Sequence, residues 1–139
     1  ASAGLRLGIA MASEEIIGYF NKVKYPYNVN ILTQQQALEI MRSKDLVTDW
    51  VNLILTERSR VVSELETLSS CQKVYPSDAN FVLAKIDNAT ALYDALVDRG
   101  IIVRNRSKVR LCNDCLRITI GTPEENKALL AALKELTSN

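Results

Sequence analysis

The sequence has 139 residues, 47% hydrophobic and 24% charged, enough for one real core and too apolar for wholesale disorder. Its 17 basic and 16 acidic residues leave a formal charge of +1, without the basic excess of a general nucleic-acid or anionic-membrane binder. It contains no histidine, which excludes Ser-His-Asp and Cys-His catalysis and histidine metal sites, and no apolar run suited to a membrane span or a secretory leader.

Leu5 to Met11 predicts a short, mostly apolar strand. Only four residues precede it, an abrupt start that suggests further chain upstream. Ser13 is placed to cap a helix through Glu14, Ile16, Tyr19 and Phe20, which Tyr25-Pro26-Tyr27-Asn28 would end. Thr33 predicts the cap of a second helix to about Met41, and Asp45 the start of a long third. In that third helix Val47, Trp50, Val51, Ile54, Leu55, Val61, Val62, Leu65 and Leu68 recur at spacings of three and four. Glu57, Arg58, Glu64 and Glu66 read as its solvated face.

Beyond Ser70 the period changes. Val74 and Tyr75 read as extended, and Phe81 to Ile86 as an apolar strand. A helix capped by Asp87 or Asn88 follows and stops at Gly100. Ile101 to Arg104 and Cys115 to Ile120 predict two further strands. Thr122-Pro123-Glu124-Glu125 is a capping box with proline in the first turn, opening a last helix. The second half is thus an α+β arrangement with helices on one face of a sheet.

Three arginines stand inside short apolar strand-like runs: Arg6, Arg104 and Arg117. A guanidinium is costly to bury unless an anion neutralises it, and its planar fork matches carboxylate or phosphate in two-point contact. Taken singly, each is read first as pointing to water from the wet face of a strand. The cysteine pair of Cys112-Asn113-Asp114-Cys115 lacks further ligands for zinc and leads into a strand rather than a helix, so reduced thiols are expected. Three cysteines without a framework spacing point to a reducing, cytoplasmic compartment.

Four segments in order carry a resemblance: Ala3-Gly4-Leu5-Arg6-Leu7-Gly8, Ser77-Asp78-Ala79-Asn80-Phe81-Val82-Leu83, Gly100-Ile101-Ile102-Val103-Arg104 and Leu116-Arg117-Ile118-Thr119-Ile120-Gly121-Thr122-Pro123-Glu124-Glu125-Asn126. Together they resemble the class I/II pyridoxal-phosphate-dependent aminotransferases of fold type I, and within them the histidinol-phosphate branch, along essentially the whole chain. The resemblance implies that Arg6 holds the cofactor's phosphate. It implies that Arg117 pairs with the substrate carboxylate and that Arg104 lies by the substrate's phosphate end. Histidinol phosphate has no α-carboxylate, so Arg104 and Arg117 are expected to act as a shared anion clamp for histidinol phosphate and glutamate in turn. The same clamp would suit phenylalanine-type or threonine-phosphate relatives.

The resemblance also implies residues 1–44 as the end of a large cofactor-binding domain, and 45–139 as a long connecting helix with a small α+β C-terminal domain. It implies a homodimer for the intact enzyme, and a preceding N-terminal large domain. In the family the Schiff-base lysine lies about eight residues before the arginine that Arg6 matches. Here that position falls upstream of Ala1, so this chain alone is expected to be inactive. The rival reading is a free-standing, non-catalytic α+β module that binds a small anion or a protein partner.

Overall fold

The structure, a computed structural model, describes residues 3–137. The chain forms two compact units, Ala1–Trp50 and Val51–Asn139.

In the first unit a single 3₁₀ turn, Ala3–Leu5, is followed by irregular chain up to α1 (Glu14–Val23), then α2 (Ile31–Arg42) and the start of α3 (Lys44–Glu66). The predicted strand from Leu5 to Met11 is not formed. A strand needs a neighbour for its N–H and C=O groups, and every described strand lies beyond residue 70. Neither α1 nor α2 buries a residue. Ser13 does stand before α1, but its carbonyl, accepting from the Ile17 N–H, makes the bond and its side chain makes no cap. The cap of α2 is Asn30 rather than Thr33: the Asn30 Oδ1 accepts the Thr33 N–H at 2.9 Å. Thr33 therefore stands at the third helical position, as the donor of that bond.

The second unit holds the core. Its sheet has the order β1-β2-β4-β3, antiparallel throughout: β1 (Cys71–Tyr75), β2 (Phe81–Ile86), β3 (Arg104–Asn105) and β4 (Cys115–Thr119). Alternation along β2 and β4 divides the two faces. Val82, Ala84, Ile86, Leu116 and Ile118 are buried, with Val61 and Leu65 of α3, Leu92 and Leu96 of α4 (Ala89–Asp98), and Leu129, Leu130 and Leu133 of α5 (Pro123–Thr137). Phe81, Leu83, Lys85, Arg117 and Thr119 take the other face.

Two helix ends explain local geometry. Gly100 has φ +75, and it closes α4 with its N–H on Val97 O and the Ile101 N–H on Leu96 O, the paired bonds of a left-handed helix cap. The predicted strand from Ile101 shortens accordingly. Its first residue is spent leaving the helix, and pairing with β4 begins only at Arg104. At the other end Asn88 precedes α4 at φ 54, a conformation asparagine tolerates, without a side-chain cap. Among the described residues no helix is long and apolar enough to cross a membrane.

Candidate functional site

The outer face of the sheet is where chemistry gathers. Arg104 on β3 is directly opposite Arg117 on β4, and Arg117 is directly opposite Leu83 on β2. Side chains so paired stand about 5 Å apart at Cβ, and like charges placed this way repel. Among the described residues no carboxylate forms an ion pair with either arginine. The Arg117 guanidinium lies over the Phe81 ring, 5.0 Å from its centroid, and its Nε is buried with no protein acceptor. A desolvated N–H without a partner is expensive. An anion offering two oxygens supplies what both arginines lack.

Arg6 belongs to the first unit. It is exposed, just after the 3₁₀ turn, at φ 55, a strained value for a residue with a Cβ. Gly4 and Gly8 flank it, and a Cβ at either would meet nothing within 4 Å. An exposed fork on open backbone fits a phosphate by charge and by room, which is the role the resemblance implies for pyridoxal phosphate. The structure thus brings Arg104 and Arg117 together, while Arg6 stands in the other unit.

Behind β4 lies a polar cluster that the sequence reading missed. Asn126 is 2% exposed and Glu57 6%. The Asn126 Nδ2 donates to Glu57 Oε2 at 2.7 Å and to Gly121 O at 3.0 Å, while its Oδ1 accepts the Gly121 N–H at 2.9 Å. Arg60 closes a two-point pair on Glu57 at 3.0 and 2.6 Å and reaches Pro123 O at 3.4 Å. The Arg60 hydrogen bonds, with that of Asn126, hold the Glu57 carboxyl below its ordinary value of 4.5, and burial opposes them. Glu57 is therefore not part of a solvated face. Arg58 is likewise engaged, donating to Ala79 O at 2.7 Å across the β1–β2 loop. The available signal was Asn126 itself, an amide at the apolar spacing of α5.

The capping box forms as expected, with Thr122 N on Glu125 Oε2 at 2.8 Å and Glu125 N on Thr122 Oγ1 at 3.3 Å. Cys71, Cys112 and Cys115 are free thiols, and burial raises the pKa of Cys71 and Cys115. Among the described residues no cluster of metal-ligating side chains occurs.

The family described as aminotransferase class I and II matches residues 1–133. The histidinol-phosphate aminotransferase of Parabacteroides distasonis is 55% identical over 135 residues, covering 97% of this chain and 39% of that protein. That of Bacteroides thetaiotaomicron is 50% identical over 133 residues, covering 96% and 38%. Among solved structures, the histidinol-phosphate aminotransferase of Clostridium acetobutylicum superposes with a TM-score of 0.83 at 26% identity, over 91% of this chain and 39% of that one. The Sinorhizobium meliloti enzyme in complex with pyridoxal-5'-phosphate gives 0.74 at 25% identity, over 86% and 33%. The chain spans about two-fifths of the length of the curated relatives it matches. With the four ordered segments and the α+β unit that displays Arg104 and Arg117, the match over residues 1–133 shows that the chain belongs to the class I and II aminotransferases.

Proposed function

We propose that these residues serve a pyridoxal-phosphate-dependent aminotransferase that exchanges an amino group between glutamate and imidazole-acetol phosphate. The observation that carries the site reading is the Arg104–Arg117 pair, with its buried, partnerless Nε and no carboxylate partner among the described residues. The similarity to named histidinol-phosphate aminotransferases supports the choice of substrates.

When bound, the cofactor supplies the aldehyde that takes up the amino group and the ring that spreads the electron pair released at the substrate carbon. The chain's own residues bind and orient. Arg117, fixed by Phe81 beneath its guanidinium, presents a fork to the carboxylate of glutamate or the phosphate of the other reactant. Arg104 neutralises the rest of that charge from the adjacent strand. Holding one end of the reactant rigidly lets the other end meet the reacting carbon in a narrow range of poses. Arg6 is assigned to the cofactor's phosphate. Within these 139 residues no lysine precedes Lys22, so the family's reactive lysine has no counterpart ahead of Arg6, and we assign no catalytic residue to this chain. We extend the reading to a homodimer in a reducing, cytoplasmic setting. The resemblance and the exposed apolar side chains Phe20, Tyr25, Tyr27 and Ile31 support the dimer, and the three free thiols support the compartment.

The test is kinetic, on the intact enzyme. Arg117→Ala raises KM for both glutamate and histidinol phosphate by roughly 10- to 100-fold, the worth of a charge-assisted hydrogen bond of about 1.5–3 kcal/mol. Unchanged KM values for both would remove the anion-clamp assignment.

A further inference from the structure

The ladder between β3 and β4 does not stop at Arg104. Asn105 is opposite Leu116, and the Arg106 N–H donates to Cys115 O at 2.9 Å, so Arg106 continues the same register. Alternation then settles its side. The Asn105 amide donates to Thr90 Oγ1 on α4 at 3.1 Å, toward the helices. Arg104 and Arg106 therefore take the opposite face, the one that carries Arg117, and both are exposed. Arg104 has Arg117 about 5 Å to its side and Arg106 about 7 Å along its own strand, distances that long side chains span easily. Lys85, opposite Cys115 on the next strand, extends the row. Among the described residues neither Asp114 of the hairpin nor any other carboxylate forms an ion pair with these arginines. Like charges so placed repel one another, and a polyvalent anion bound across them relieves that repulsion.

We propose that Arg106 is a further substrate-binding residue, which with Arg104 and Arg117 makes the clamp selective for a phosphate group over a carboxylate. This rests on the reading of Arg104 and Arg117 as the substrate's anion clamp and goes beyond it by adding a discriminating member. The discrimination is a matter of oxygens and charge. A carboxylate has one charge and two oxygens, which a single fork saturates. A phosphate monoester carries up to two charges on three terminal oxygens, so a second and a third fork still find acceptors. Arg106 thus adds to the hold on the phosphate-bearing reactant and little to the hold on glutamate.

The experiment titrates the 139-residue chain with inorganic phosphate and, separately, with glutamate, following the arginine Nε–Hε resonances by NMR. In the wild-type chain phosphate shifts Arg104, Arg106 and Arg117 together. Arg106→Ala weakens phosphate binding about tenfold, the worth of one charge-assisted hydrogen bond, and leaves glutamate within about twofold. Arg106→Lys restores part of the phosphate affinity. An equal loss for both ligands, no loss for phosphate, or no phosphate binding by the wild-type chain overturns the proposal. Arg117→Ala separates the two levels. If it leaves both ligands unaffected, the underlying clamp assignment falls. If it weakens both while Arg106→Ala weakens neither, only the selectivity of Arg106 falls.

Discussion

Among individual residues, Arg117 is defined by what lies under it. The Phe81 ring is 5.0 Å from its guanidinium carbon, a cation–π interaction worth about 0.5–1 kcal/mol at a partly exposed site. Phe81→Leu keeps an apolar neighbour and removes the ring. In the intact enzyme it is expected to raise KM for both reactants by about two- to fivefold, read by steady-state kinetics, while the thermal midpoint changes by only a few degrees. Glu57 gives a second expectation of this kind. Its carboxyl titrates below its ordinary value of 4.5 because Arg60 and Asn126 hydrogen-bond the charged form. Its contribution to stability is therefore complete above the unfolded value and is lost as pH falls through the lower folded value. Glu57→Gln should be less stable than wild type at neutral pH, and the gap in thermal midpoint should close on acidification below 4.5. A gap constant down to acid pH would contradict the assigned cause. The placement of Arg117 and Arg104 in strands was legible in the sequence because a charge in a β-rich apolar run is conspicuous, whereas the proposal of a shared role came from the resemblance of the ordered segments. Glu57 was not legible, because helical spacing places it on the same side as Glu64, seven residues on and not buried, and its burial depends on Asn126, 69 residues away.

Among the secondary-structure elements, the turn from β4 into α5 is over-determined. Asn126 bonds both the N–H and the carbonyl of Gly121, and Glu125 bonds back to Thr122. Asn126→Ala leaves those backbone groups and Glu57 short of partners in a buried place, an expected loss of about 2–4 kcal/mol in denaturant unfolding. Gly121→Ala acts differently. Its new Cβ would sit 2.5 Å from the Glu125 carboxylate oxygen and 3.1 Å from the Glu125 Cβ, forcing that side chain out of the capping box. The expected cost is about 1 kcal/mol, the usual worth of a helix cap. The capping box, the long helix, the β2 strand and the stop at Gly100 could all be read from residue order, since each is set by neighbours within a turn or two. The strand from Leu5 and the start of β3 could not. Strand formation needs a pairing partner, and periodicity reports apolarity without reporting who pairs with whom.

Across the whole molecule, the two units differ in kind. The second carries a four-stranded sheet under three helices and a contiguous core, whereas α1 and α2 of the first bury no residue. The chain spans about two-fifths of the relatives' length. We therefore expect the purified 139 residues, given pyridoxal phosphate, glutamate and a keto acid, to transfer no amino group above the rate of free cofactor. Turnover clearly above that rate in a coupled assay would overturn the expectation. The α+β character of the second half was legible because its strands and helices alternate with clear turn signals between them. The first half was harder, since neither α1 nor α2 buries a residue and its apolar opening segment forms no strand.

The bonding of Gly121 also bears on motion. Because one amide grips both ends of the same peptide neighbourhood, the end of the arginine-bearing strand and the first turn of the last helix open together or not at all. Amide protons there, at Gly121 (held by Asn126 Oδ1) and Asn126 (held by Thr122 O), should exchange with deuterated solvent only through events that free the Asn126 side chain from Gly121 and open the first turn of α5. The proton clock of that turn would then report how long the arginine face keeps its shape.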